Sequence, residues 1–306
     1  MLEILKSSFV MPPPLDESLA SELSEISTGL EAMYGAGEHC YEDGSCYDLE
    51  AFESIIDNSR NPEELLKAWN GWHEIGKPMK PMYMRMVEIG NKGSKDLGYD
   101  GLSDLWFSKY DMPAEDFLYE TDRVWEEVKA VYDVLHCHVR AKLNEHYGDE
   151  VVPDSGTLPV HLLGNMWGQS WSNIYDLVYT EQSKSNSVDV TKIIQDEEIN
   201  EIEMVEYAED FFISIGFEPL PKTFWERSLF VKPRDRSVVC HASAWNLDPA
   251  NNDLRIKMCI QRNEEDFITI HHELGHIFYY QAYNNLPTLF QGGVNDGLHE
   301  AFSALL

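Results

Sequence analysis

The stretch Ile270–Ile277, IHHELGHI, has to meet two demands at once. Its apolar residues call for a helix packed in a core, yet it carries three histidines and a carboxylate. On a helix, His272 and His276 stand one turn apart on one face, about 5–6 Å apart at Cβ, close enough for both imidazoles to hold one tetrahedral zinc ion. Glu273 lies beside them, as in the H-E-x-x-H pattern whose Glu serves as general base. The motif arises by chance on the order of once per hundred chains of this length, so a third ligand has to decide. The extended pattern with Gly and His further on is not met, because Tyr279 and Ala282 occupy those positions. Downstream, GGVNDGLHEAF closes a Gly-rich loop and opens a new helix, with Asn295 or Asp296 as its cap. Glu300 on that helix, 24 residues past His276, can return to the metal. Two His and one Glu leave a fourth position open, the arrangement of a catalytic rather than a structural zinc.

The motif therefore demands a helix, a loop and a returning helix, and the rest of the chain is written in the same style. Asn263 caps an expected helix over Glu264–Ala282, which stops at Asn284-Asn285 before Pro287. Leu19, Leu23, Ile26 and Leu30 recur at spacings of three and four within Leu15–Met33. Comparable patterns predict helices over 49–72, 81–92, 115–146 and 199–215. The one strand region is Val238–Cys259, where VVCHASAW and LRIKMCI flank the turn-prone NLDPANND. Breaks fall near Gly76, over Tyr147–Pro159 and from Gly216, and Thr180–Thr191 reads as a polar surface loop. The expected fold class is mainly α with a small β element. At 306 residues and 43% hydrophobic, the chain can bury one large domain or two packed lobes.

The formal charge of −31 argues against nucleic acid and anionic membrane surfaces, whose phosphates it would repel. The amino terminus carries Glu3 and Lys6 inside its only apolar stretch and so lacks the form of a secretory signal. Ser155–Tyr175 is long enough to span a bilayer, but Pro159, His161, Asn165, Gln169 and Asn173 interrupt it, and it reads as a buried helix of a soluble protein. Cys40 and Cys46 bracket CYEDGSC, a loop fit for a local disulfide or, less readily, for a metal. Cys240 and Cys259 bracket a second polar segment, and if both pairs close Cys137 is left alone.

The chain resembles the angiotensin-converting enzyme family of zinc dipeptidyl carboxypeptidases. The resemblance lies in VVCHASAW, DLRIKMC, HHELGHIFYYQAYNNLP and GGVNDGLHEA, and upstream in HLLGNMWGQSWSNIYDLV, AWNGW and C-x5-C. It implies a helical gluzincin-type peptidase, two-lobed around a deep central cleft, with its small β element near the zinc. It implies His272, His276 and Glu300 as ligands of one zinc ion and Glu273 as general base. Gln169 would bind the terminal carboxylate of an oligopeptide substrate, His241 would touch that substrate, and the backbone at Ala242 and Ala244 would pair with it as an added strand. Cys40–Cys46 and Cys240–Cys259 match family disulfides, which together with the family points to the secretory pathway or the extracellular space. Residue by residue, Gln169 also reads as a polar residue on a core helix, His241 as a hydrogen-bonded core histidine, His271 as structural, and Trp69, Trp72, Trp167 and Trp171 as packing.

Departures from the family pattern shape the remaining expectations. The resemblance starts near Leu15, with 1–14 outside it, and 1–306 reads as a single incomplete peptidase domain lacking the N-terminal lid and the C-terminal part that carries oxyanion donors. Little turnover is expected of such a chain, and a truncated non-catalytic zinc- or peptide-binding relative stands as the alternative. Ala304 replaces an acid that orients a zinc histidine in the family. His73 replaces a chloride-binding Arg, which counts against chloride as a second ion.

Overall fold

A computed structural model of the chain describes residues 5, 6, 8–179 and 188–305. Helix α1 (Glu17–Gly35) leads through a short hairpin, β1 (Glu38–Cys40) and β2 (Cys46–Asp48), to α2 (Leu49–Asn58), α3 (Pro62–His73) and α4 (Gly76–Asp96). Next come α5 (Leu102–Phe107), the long α6 (Ala114–Tyr147), α7 (Tyr175–Val178), α8 (Val190–Asp196), α9 (Glu201–Ser214) and α10 (Lys222–Arg227). A second hairpin, β3 (Ser243–Asp248) and β4 (Asp253–Lys257), precedes α11 (Glu264–Tyr283) and α12 (Asp296–Leu305). The chain is mainly helical, and it divides into two compact units.

One unit comprises Pro13–Asp96 and Met112–Ser187. Its core gathers Phe52 and Ile56 from α2, Leu65, Ala68 and Trp72 from α3, and Val139 and Leu143 from α6. The pattern over 49–72 makes two helices rather than one, because Asn61 accepts from the backbone of Glu63 and Glu64 and Pro62 takes the first helical turn. A three-residue antiparallel pairing, His39 opposite Tyr47, adds a hairpin across the C-x5-C loop that the sequence reading did not anticipate. The Cys40–Cys46 disulfide closes it.

Ser155–Tyr175 is not the helix expected of it. Only the 3-10 turns Val160–Leu162 and Ser172–Ile174 are regular before α7 starts at Tyr175. Gly164 and Gly168 adopt φ of +77° and +63°, a left-handed backbone that stops any α-helix. Side chains take the freed carbonyls: Asn173 Nδ2 donates to Gly164 O at 2.8 Å, Trp171 Nε1 to Gly168 O at 2.9 Å and Trp69 Nε1 to Met166 O at 3.0 Å. The segment is nonetheless buried through Leu162, Leu163, Met166 and Ile174. Trp167 departs from the packing role expected of it, since it lies exposed.

The other unit comprises Met1–Pro12, Leu97–Asp111 and Val188–Leu306. Its core joins Met204, Val205, Ala208 and Phe212 of α9 to Ile270, Leu274, Ile277 and Phe278 of α11, with Leu254 and Ile256 of β4 alongside. Phe212 stacks on Phe278 at 4.5 Å between ring centroids. The expected hairpin is present but shorter than Val238–Cys259: Ala244 pairs with Ile256 in antiparallel register, and Pro249–Asn251 form the turn. The Cys240–Cys259 disulfide joins the segments flanking the two strands, and Cys137 on α6 of the other unit is free and exposed. Of the expected loop Thr180–Thr191, residues 180–187 lie outside those described, and Val190 and Thr191 open α8.

Candidate metal centre

Helix α11 starts where Asn263 Oδ1 accepts from Asp266 N at 2.8 Å, with Glu264, Glu265 and Asp266 in its first turn, where negative charge offsets the helix dipole. Its apolar stripe, Ile270, Leu274, Ile277 and Phe278, is fully buried. That fixes the rotation of the helix and leaves His272 and His276 only partly buried. After α11 the chain turns back. Gln291 Nε2 donates to Asn284 O at 2.7 Å and Val294 N to Tyr279 Oη at 3.2 Å, which pins the Gly-rich loop to the end of α11. Asn295, one of the two expected caps, accepts from Leu298 N at 2.7 Å and starts α12.

The returning helix crosses α11 at very short range. A Cβ added to Gly275, inside the H-E-x-x-H motif, would lie 2.7 Å from Ser303 Cα. This closeness brings Glu300 to the two histidines. His272 Nε2 and His276 Nε2 are 3.1 Å apart, and Glu300 Oε2 is 3.3 Å from the first and 3.6 Å from the second. A tetrahedral zinc with ligands at about 2.0–2.2 Å requires ligand atoms roughly 3.3–3.5 Å apart, so the spacing and the two-nitrogen, one-oxygen donor set both fit the ion. His276 is mostly enclosed, whereas Glu300 faces solvent. The group is accessible from one side.

Glu273 points into a drier place. It is 6% exposed, and burial, aided by the nearby Glu300 charge, pushes its carboxyl up to about 7. Burial also pulls His276 down to about 4, with His299 and His272 adding to the effect, so its imidazole is neutral near pH 7, as a metal ligand must be. His271, on another face of α11, has Nδ1 2.7 Å from Phe267 O and stacks edge-on with Phe267, a structural setting. His241 is exposed, and its Nδ1 donates to Ala242 O at 2.9 Å. Ala242 directly precedes β3 and Ala244 is its second residue; the only strand partner of β3 among the described residues is β4. Tyr280 Oη donates to Ala244 O at 3.4 Å, which ties that strand to α11. Gln169 belongs to the other unit, exposed in the irregular segment after Gly168 and not on a helix.

Three residues at the centre escaped the sequence reading. His299 Nδ1 is 2.6 Å from His276 Nδ1, Ser303 Oγ lies 3.5 Å from the same nitrogen, and Gly275 lets the helices meet. The available signal was helical spacing: Ser303 stands one turn after His299, which adjoins the candidate ligand Glu300, so all three share one stretch of α12.

The profile of the peptidase family described as angiotensin-converting enzyme matches residues 1–306, the first fourteen included. The chain is 40% identical over 289 residues to angiotensin-converting enzyme of Bos taurus, covering 93% of this chain and 22% of that protein. It is 38% identical over 300 residues to the enzyme of Rattus norvegicus, covering 97% of the chain and 22% of the relative. Against the enzyme of the leech Theromyzon tessulatum it is 36% identical over 307 residues, 98% of the chain and 49% of the relative. The chain thus spans about a fifth of the mammalian relatives and half of the leech one.

Proposed function

The chain belongs to the angiotensin-converting enzyme family, and from that premise we propose that it carries the metal-binding part of a zinc peptidase that releases dipeptides from the free C-terminus of oligopeptides. The observation that carries this reading is the convergence of His272 Nε2, His276 Nε2 and Glu300 Oε2 at 3.1–3.6 Å, with buried Glu273 on the same helix.

Bound zinc would supply Lewis-acid activation of the scissile carbonyl and of water. His272, His276 and Glu300 would hold it. Glu273 takes a proton from the attacking water and returns it to the leaving amine, a task that suits a carboxyl raised toward neutral pH by burial. The edge of β3 away from β4, which no strand covers among the described residues, offers a place for an extended peptide at Ala242 and Ala244, with His241 alongside. The family resemblance, rather than geometry, gives Gln169 as the residue for the substrate's terminal carboxylate. The two disulfides and the family together favour an oxidising, extracytosolic location. Among the described residues no helix is long and apolar enough to cross a membrane.

The test is product analysis with a C-terminally free peptide, the same peptide amidated, and Glu273→Gln. Dipeptides from the free peptide alone, lost in Glu273→Gln, are expected. Cleavage that ignores amidation would overturn the carboxylate-directed reading. One observation favours a second reading, a zinc- or peptide-binding relative without turnover: Ala304 presents only a methyl where the resemblance expects an acid behind a zinc histidine. Tight peptide binding with zinc bound and no product would select it.

A further inference from the structure

We propose that His299 is a positioning residue of the metal centre, its Nδ1 accepting the Nδ1–H of His276 and so holding His276 Nε2 toward the ion. The proposal rests on the zinc reading of the triad. His276 presents Nε2 to the other two ligands, 3.1 Å from His272 Nε2 and 3.6 Å from Glu300 Oε2. A neutral imidazole that gives the Nε2 lone pair to a metal carries its hydrogen on Nδ1, and that hydrogen needs an acceptor. Two acceptors lie within reach. His299 Nδ1 is at 2.6 Å, whereas Ser303 Oγ is at 3.5 Å, a marginal contact. The Ser303 hydroxyl oxygen is also 3.4 Å from His276 Nε2, so it sits beside the ring, nearly equidistant from both nitrogens, and not in line with the Nδ1–H.

The surroundings hold the His299 ring in place. Tyr279 and Tyr280 meet it edge-on at 4.7 and 5.0 Å between centroids, and a Cβ on Gly293 would lie 2.8 Å from its Cδ2. With Nδ1 as acceptor, the hydrogen of His299 sits on Nε2, a buried atom without a hydrogen-bond partner. Leaving that group unpaired is costly, and a native structure that keeps it asks for a reason. Fixing the tautomer of His276 supplies one. The stretch Leu298–Ser303 thus delivers both the third ligand, Glu300, and the group that orients the second.

The test measures zinc affinity by chelator competition, and the absorption spectrum of the Co²⁺-loaded protein, for the wild type, His299→Phe, His299→Asn and Ser303→Ala. Phe fills the site without an acceptor; Asn places Oδ1 near the position of Nδ1. Expected is a loss of about 10- to 100-fold in affinity for His299→Phe. Its Co²⁺ spectrum should shift, His299→Asn should recover most of both, and Ser303→Ala should stay near the wild type. The metal-free unfolding midpoints of the two His299 variants should agree, which separates positioning from folding. Wild-type affinity in His299→Phe, equal weakness in both His299 variants, or the larger loss in Ser303→Ala would overturn the proposal. A wild type that binds no zinc would instead remove the triad reading beneath it.

Discussion

At Gly275 a single methyl tests how the site is built. Alanine there would press 2.7 Å from Ser303 Cα, a backbone atom that cannot rotate away. Overpacking of this kind costs about 1–3 kcal/mol, which outweighs the gain of about 1 kcal/mol that Ala brings over Gly in a helix. Gly275→Ala should therefore lower the urea midpoint and also weaken zinc binding, because α12 must move with Glu300 on it. Glu273→Gln keeps the shape of the side chain and removes the proposed base; on that proposal turnover should fall by about 10²- to 10⁴-fold with zinc retained, as read by peptide hydrolysis beside metal analysis. The grouping of these side chains was legible in the sequence because helical spacing alone puts His272, Glu273 and His276 together, and a cap at Asn295 announces the helix that returns Glu300. His299 was not legible. Whether it faces His276 depends on how closely α11 and α12 approach, and Gly275 and Ser303 set that distance only in three dimensions.

At the scale of elements, local chemistry decided what could be read. α11 begins at its expected capping residue Asn263, whereas the cap at Asn61, which starts α3, is passed over in the pattern of 49–72. Ser155–Tyr175 has the apolar content of a helix without its geometry, because Gly164 and Gly168 take left-handed φ and no composition argument senses that. In the second hairpin, Asp253 is buried against two guanidiniums. Hydrogen bonds from Arg255, and then Arg227, hold its carboxyl down to about 2 from the ordinary 3.8. A carboxyl lowered by folding adds stability that is complete above about pH 4 and is lost as pH falls toward 2. Asp253→Asn should therefore be less stable than the wild type at neutral pH, with the gap between their denaturation midpoints narrowing below pH 4. The Cys240–Cys259 bridge spans 19 positions around this hairpin. Replacing both cysteines by serine should destabilise the protein by about 2–4 kcal/mol, as measured by chemical denaturation.

Over the whole molecule, 54 acidic against 23 basic side chains leave a formal charge of −31. Self-repulsion of that size opposes compaction, so the unfolding midpoint should rise between about 10 and 150 mM monovalent salt, over which the Debye length falls from roughly 30 to 8 Å. The metal group lies wholly within one unit, on two consecutive helices, and so does the strand edge at Ala242 and Ala244, whereas Gln169 lies in the other. Zinc binding is accordingly the property closest to local sequence. The most direct measurement is zinc content after equilibration and removal of free metal, for the wild type and for His276→Ala and Glu300→Ala. One zinc per chain in the wild type, with affinity sharply reduced in both variants, is the expected result. No bound zinc in the folded wild type, or full zinc retention in both variants, would contradict the metal centre.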